Sequence, residues 1–177
     1  MSLRWQAQDS RERALKWLDR PAGGERLAAV REAMALSMEQ GCGIYRTGPG
    51  IADTCATLAQ LKTRLGAVHL QDRARAWNTE WLTAIELGFQ LDVAEVMAHS
   101  ALARRESRGA HQRLDEGCTE RDDAGYLKHT MAWREANGAP RIGWSDVVIT
   151  RSAPGTRAYG AAGEAAEGVA KVALADA

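Results

Sequence analysis

Cysteine is scarce in this chain of 177 residues, and the three present, Cys42, Cys55 and Cys118, are too widely spaced for a CxxC pair or a disulfide framework. Such thiols suit a reducing compartment and read as single packed side chains. Proline is also sparse, at four residues, while 45% of the chain is hydrophobic and 26% charged, the balance of a globular protein. Neither sign of charge dominates: Lys+Arg and Asp+Glu both number 23. A neutral chain argues against nucleic acid as the main partner, because binding phosphates needs a basic excess or a basic face. No apolar run approaches the ~20 residues needed to cross a bilayer. A secretory leader is not expected either, since Arg4, Asp9, Arg11, Glu12 and Arg13 interrupt the first turns. Met1 to Leu3 read as an added start ahead of an excised piece of a longer chain.

The common catalytic signatures are missing too. Gly41, Gly43 and Gly48 lack the GxGxxG spacing and follow a helix, whereas a dinucleotide cradle needs a strand, a tight turn and a helix N-terminus. There is no Walker-type sequence and no GxSxG elbow. His69, His99, His111 and His129 form no pair at one-turn spacing, and no cysteine lies close enough to complete a zinc set. The sequence therefore assigns no catalytic, cofactor-binding or metal-ligating residue in this chain.

What it does carry is helical periodicity. Residues 3–18 read as a first helix, with Leu3, Ala7, Ala14, Leu15 and Leu18 on one side. Pro21, Gly23 and Gly24 break it, and a second helix follows with Leu27, Val30, Met34 and Met38 at three- and four-residue steps. Gly41 is expected just past that helix, as its left-handed stop. After a loop over 41–50, Pro49 marks the first turn of a third helix bearing Ile51, Cys55, Leu58, Leu61 and Leu65. The longest segment, about 79–104, carries Trp81, Ile85, Phe89, Val93, Met97 and Ala101 at steps of four, with Leu82, Leu87, Leu91 and Val96 widening the arc. So wide an apolar arc predicts a helix covered on several sides, at the centre of a bundle.

Beyond Arg105 the pattern changes. Arg104, Arg105, Arg108, Arg113 and Arg121 meet Glu106, Asp115, Glu116, Glu120, Asp122 and Asp123 in a short polar stretch. A guanidinium fork holds carboxylates bidentately, so the density of both signs predicts a coil locked by Arg–carboxylate pairs and suited to docking. Ser107 and Gly109 let the chain turn sharply off the helix end. Arg108 and Arg121 are expected to hold the coil through nearby carboxylates, including Asp122 and Asp123. Two runs, 126–133 and 142–150, flank Asn137, Gly138 and Pro140 and predict a β-hairpin. The six tryptophans read first as core, with one or two available to an interface. The expected fold is mainly α: a helical bundle over 1–105, a charged coil plus hairpin extension over 106–160, and an Ala/Gly-rich tail over 161–177 that frays or stays disordered.

Five stretches also resemble a known family. GCGIYRT (41–47), WNTEWLTAIELG (77–88), AHSALARRESRGAHQRLDEGCTERDD (98–123), LKHTMAW (127–133) and ITRSAPGTRAYG (149–160) are similar, in order, to the flavoprotein subunit of fumarate reductase and succinate dehydrogenase. The nine-residue spacer QRLDEGCTE between His111 and Arg121 looks more like the bacterial fumarate reductases. The resemblance covers the C-terminal third of such a subunit and implies a three-helix, spectrin-repeat-like bundle packed on a flavin domain. It puts covalently held FAD, and the residues that bind and reduce the dicarboxylate, in the parts that precede this one. Partners implied by it are the flavin-binding domain, an iron–sulfur subunit and membrane-anchor subunits, at the cytoplasmic face of the cell membrane. The family-motif residues that fall in this chain are Ser107, Arg108, Gly109, His111, Arg113, Arg121, Asp122 and Asp123, implied to form an interdomain coil. A stand-alone helical adaptor domain is the competing reading, though an adaptor has no need of that charge lattice.

Overall fold

The computed structural model describes residues 3–136 and 138–151. Its core is built by three helices: α2 (Leu27–Cys42), α3 (Gly48–Leu65) and α4 (Thr79–Ala103), preceded by α1 (Leu3–Leu15). Two parallel pairs of two-residue strands tie the connections: β1 (Glu25–Arg26) with β3 (Val68–His69), and β2 (Tyr45–Arg46) with β4 (Gln112–Arg113). A short α5 (Asp123–Tyr126) leads into an antiparallel hairpin of β5 (Lys128–Trp133) and β6 (Arg141–Asp146), in register from Lys128 opposite Asp146 to Trp133 opposite Arg141. These elements belong to one compact unit that ends at Asp146; residues 147–151 carry no helix or strand. The tail expected over 161–177, most of the ITRSAPGTRAYG stretch, and Asn137 of the expected turn lie outside the described residues.

The helix starts follow from local chemistry. Thr47 caps α3 by accepting the Gly50 N–H at 3.2 Å, and Pro49 sits in the first turn, where a missing N–H costs nothing. Asn78 caps α4 by accepting the Trp81 N–H at 2.7 Å. Val30, Ile51, Leu58, Leu61, Ala84, Leu87, Leu91 and Ala98 are each fully buried, so every bundle helix contributes to one core. Burying a leucine or isoleucine side chain is worth about 1.5–3 kcal/mol.

Three expectations are corrected. The first helix ends at Leu15, not Leu18, and none of its residues is buried. Its last residue, Leu15, packs against the core half-buried, Leu18 in the turn after it is buried there, and the Trp81 indole N–H holds the helix end by the Ala14 carbonyl at 2.8 Å. Gly41 lies inside α2, which runs on to Cys42, and the following Gly43 has φ −63°, so no left-handed residue stops the helix. Gly41 instead serves a close approach: a Cβ there would sit 2.0 Å from Thr54 Oγ1 and 2.5 Å from the Gly50 carbonyl oxygen. Thr54 in turn donates within the same crossing, to the Ser37 and Gly50 carbonyls.

The third correction concerns α4. Its buried side is Ala84, Leu87, Leu91, Ala94, Glu95, Ala98 and Ala101, where alanines let α2 and α3 come close. Much of the four-step series faces outward: Phe89 is 66% exposed, Val93 59% and Met97 54%, with Leu82 at 56%. Each step of four drifts about 40° around the axis, so the series winds from Trp81 on the core side, through the exposed Phe89, Val93 and Met97, to the buried Ala101. The helix is apolar on two sides and covered on one.

Replacing Gly41 with Ala tests the α2–α3 contact. Because the Gly50 backbone cannot yield, we expect a stability loss of about 1–3 kcal/mol by urea unfolding, with the fold retained. A loss below about 0.5 kcal/mol would mean the helices are not in this contact.

Candidate interdomain coil

The helix α4 ends because Arg104 leaves the helical region, at φ −86° and ψ 102°. That leaves the last carbonyls of α4 without intrahelical partners. Arg113 supplies them. Its buried guanidinium, 4% exposed, donates through Nη1 to the carbonyls of Ala101 (3.2 Å), Leu102 (3.5 Å) and Arg104 (3.1 Å). A cation at a helix C-terminus also meets the negative end of the helix dipole. Through Nε the same side chain binds Asp115 Oδ2 at 2.6 Å, and Asp115 Oδ1 accepts the Gly48 N–H at 2.6 Å, at the first residue of α3. The Gly48 bond, with Arg113 beside it, holds the Asp115 carboxyl below its ordinary pKa. One ion pair thus satisfies the end of one helix and the start of another, each with the favourable sign.

A second knot centres on Glu106, whose side chain is fully buried. Its carboxylate accepts from Arg104 Nη1, from Arg108 Nε at 2.8 Å and Nη2 at 3.0 Å, and from the Asp122 backbone N–H at 2.8 Å. Burial alone pushes a carboxyl upward; the Arg108, Asp122 and Arg104 hydrogen bonds outweigh it and keep Glu106 below its ordinary value. Arg104 extends the knot to the hairpin, donating to the carbonyls of Tyr126 (2.9 Å) and Lys128 (2.7 Å) and to Thr130 Oγ1 (2.9 Å). Its guanidinium also lies 5.1 Å from the Trp144 ring centre.

The motif residues fall around these two knots. The Ser107 hydroxyl donates to the Cys118 carbonyl at 3.0 Å and accepts the Arg113 N–H at 2.8 Å, fastening the coil to itself. Gly109, at φ +59°, allows the tight turn in which Arg108 and His111 exchange backbone hydrogen bonds of 2.8 and 3.0 Å. The His111 ring lies between Arg46 and the Arg104 carbonyl. Arg108 Nη2 and Arg121 Nε both bind Asp123 Oδ1, each at 2.7 Å, and Arg121 with Arg108 holds that carboxyl well below the usual range. Asp122 departs from the expected pairing: its carboxylate accepts the Gly125 N–H at 2.9 Å and caps α5, and Arg108 reaches only its carbonyl, at 3.5 Å.

The sequence places Glu106, Arg104 and Asp115 among the charges of the coil without marking them as its hubs, and it does not connect Arg46 to the coil. The available signal for Glu106 was its position between Arg104, Arg105 and Arg108, one carboxylate within two residues of three cations. Arg46 lies in the family-like GCGIYRT stretch, but nothing local ties it to the coil, because the β2–β4 pairing that brings it there joins residues 67 apart in sequence.

Comparison with known proteins now decides the family. A family profile described as "Fumarate reductase flavoprotein C-term" matches residues 31–159. The chain belongs to that family. Over 156 residues it is 53% identical to the fumarate reductase flavoprotein subunit of Escherichia coli K12, covering 88% of this chain and 26% of the relative. Identity to the subunit of Proteus vulgaris is 56% over 146 residues, covering 82% of this chain and 24% of that one. The succinate dehydrogenase flavoprotein subunit of Coxiella burnetii is 36% identical over 127 residues, 72% of this chain and 21% of its own length. A solved E. coli quinol fumarate reductase superposes with a TM-score of 0.79 at 53% identity, over 87% of this chain and 26% of that one. As a fumarate reductase flavoprotein C-terminal domain, the chain spans about a quarter of the length of the curated relatives it matches. The matched span runs from within α2 past the hairpin and contains both knots.

Glu106→Gln should cost about 3–5 kcal/mol by chemical denaturation, because it strands two arginines on a buried neutral amide. Arg121→Ala, at the solvent edge, should cost far less. Since Glu106 is held below its ordinary pKa of 4.5, its contribution is complete above that pH and is lost as pH falls beneath it. Wild-type stability should therefore fall more steeply than that of E106Q between pH 5 and pH 3. Parallel curves would contradict the assignment of Glu106 as the centre of the knot.

Proposed function

We propose that this chain is the C-terminal helical module of a FAD-dependent flavoprotein subunit that interconverts fumarate and succinate in electron transport. The observation that carries this reading is the family match over 31–159, which takes in the whole locked coil. The module itself is structural. In this reading the described residues contribute no catalytic group and no cofactor site, and the reaction belongs to the flavin-bearing part of the full-length subunit. The packing of two glycines supports this reading: Gly41 lies against Thr54 and Gly50, and Gly48 against Arg113 and Asp115, which leaves neither free to approach a pyrophosphate.

Docking onto the flavin-bearing part is the module's role in this reading. The interdomain coil formed by Ser107, Arg108, Gly109, His111, Arg113, Arg121, Asp122 and Asp123 offers a rigid polar edge. The outer face of α4, with Leu82, Phe89, Val93 and Met97, offers the apolar surface that such contacts need. Trp77, at φ 58°, is fully exposed just before α4, beside the turn that Asn78 closes by donating to the Asp72 carbonyl. An iron–sulfur subunit and membrane-anchor subunits would complete the assembly at the cytoplasmic face of the membrane; no helix among the described residues is long and apolar enough to cross it.

Two measurements test this. The purified chain should be colourless, without a flavin absorption band and without fumarate reductase activity. Added to the separately produced flavin-bearing part of a family member, it should bind, and Phe89→Glu should weaken that binding by ~30-fold or more, as loss of a central apolar anchor does. A yellow chain would overturn the assignment of the cofactor elsewhere. Binding untouched by the charge would remove α4 from the interface.

A further inference from the structure

His111 occupies a position that only one of its protonation states satisfies. Arg46 Nη1 lies 2.8 Å from His111 Nδ1, and a guanidinium can only donate. Nδ1 must therefore be the lone-pair nitrogen. His111 Nε2 lies 3.1 Å from the Arg104 carbonyl oxygen, which can only accept, so Nε2 carries the proton. The ring is fixed as the neutral Nε2–H tautomer, joining β2 on one side to the end of α4 on the other.

The charged groups acting on the ring, among the described residues, are all cationic. Arg46 comes from β2, Arg104 from the end of α4 and Arg113 from β4. Arg104 and Arg113 have their own carboxylates, Glu106 and Asp115. Among the described residues Arg46 has none: besides His111 it donates there only to the Gly43 carbonyl, at 2.6 Å. A second ring proton would thus point an N–H at an N–H across 2.8 Å, between two cations, with no nearby anion left over to receive it.

We propose that His111 is a pH-sensitive latch: neutral, it ties the turn 108–112 to β2, and protonated, it releases that turn while Arg113 keeps the coil on α4. The released part is bounded by geometry. The His111 backbone closes the turn with Arg108, and its neighbours Gln112 and Arg113 pair with Tyr45 and Arg46. Expelling the ring from Arg46 opens that pairing from its first residue, whereas the Arg113 bonds to the Ala101 and Leu102 carbonyls do not involve His111. Burial first, then Arg46, Arg113 and Arg104, outweigh the Arg104 carbonyl and hold the ring below the ordinary histidine value of 6.5. The latch is therefore fully closed above that value, and its contribution is lost as pH falls from 6.5 toward the lowered folded value. It is a property of this chain alone and stands whether or not the coil docks a flavin-bearing partner.

Hydrogen exchange of the whole chain, corrected for intrinsic exchange rates, tests it at pH 7.5 and pH 5. Protection of residues 45, 46 and 111–113 should fall about tenfold or more on acidification, while the core amides of Leu58 and Leu61 hold theirs. His111→Gln keeps an acceptor for Arg46 and a donor for Arg104 without titrating, so its turn should stay protected at both pH values. Arg46→Met removes the donor to Nδ1, so its turn should be unprotected at both. Nitrogen-15 spectra of the wild-type ring give a readout independent of the variants: Nδ1 should be unprotonated at pH 7.5, and its protonation should coincide with the loss of protection. Equal protection at both pH values, a His111→Gln chain that opens like wild type, or a ring protonated on Nδ1 at pH 7.5 would each overturn the proposal.

Discussion

The Arg113 guanidinium is the point on which the coil depends. A helix of 25 residues that stops abruptly leaves several carbonyls unpaired at its end, and in a buried setting each would cost on the order of 1–3 kcal/mol. Arg113 donates to carbonyls at that end and passes its remaining charge to Asp115, which spends its second oxygen on the start of α3. The chain must therefore turn back after α4 and run beside β2, since only there can one side chain reach both helix ends. The Glu106 knot follows from the same turn: it sits on the reversal and draws Arg104, Arg108 and the Asp122 backbone together.

The proposed docking role of the charged coil has a physical basis in this arrangement. A mobile polar loop would have to be ordered on binding, which costs conformational entropy for each residue fixed. Here the ordering is complete beforehand, because its buried charges are each matched by hydrogen bonds within the chain. The outer face of α4 complements it by supplying apolar area, and neither element needs chemistry of its own. Catalysis in the proposed subunit is then a matter for the flavin-bearing part, with this module holding its shape.

Much of this was legible in the sequence. Proline before Ile51 and the three- and four-residue steps of Leu58, Leu61, Leu87 and Leu91 encode the bundle locally. The hairpin was legible from Gly138 and Pro140. What was not legible depends on contacts between distant residues. Gly41 looks like a helix stop in sequence, and only the position of Thr54 reveals it as a crossing point. The wide arc of α4 looks like the centre of a bundle, but apolar periodicity cannot tell a face covered within the chain from one left for a partner. In the coil, composition gave the arginine–carboxylate density without the pairing: Asp122 went to a helix cap, Asp123 took two arginines, and Glu106 became the hub. Such choices are set by burial and by which backbone N–H lies within reach.

A double-mutant cycle on Arg113 and Asp115 tests the central claim most directly. Arg113→Met, Asp115→Asn and the double variant would be unfolded in urea at pH 7 and their losses compared. If one ion pair joins the two helix ends, the single changes should each be destabilising and the double change smaller than their sum by about 1.5 kcal/mol or more. Losses that add to within about 0.5 kcal/mol would mean that the two residues act separately and that the coil is held by something else.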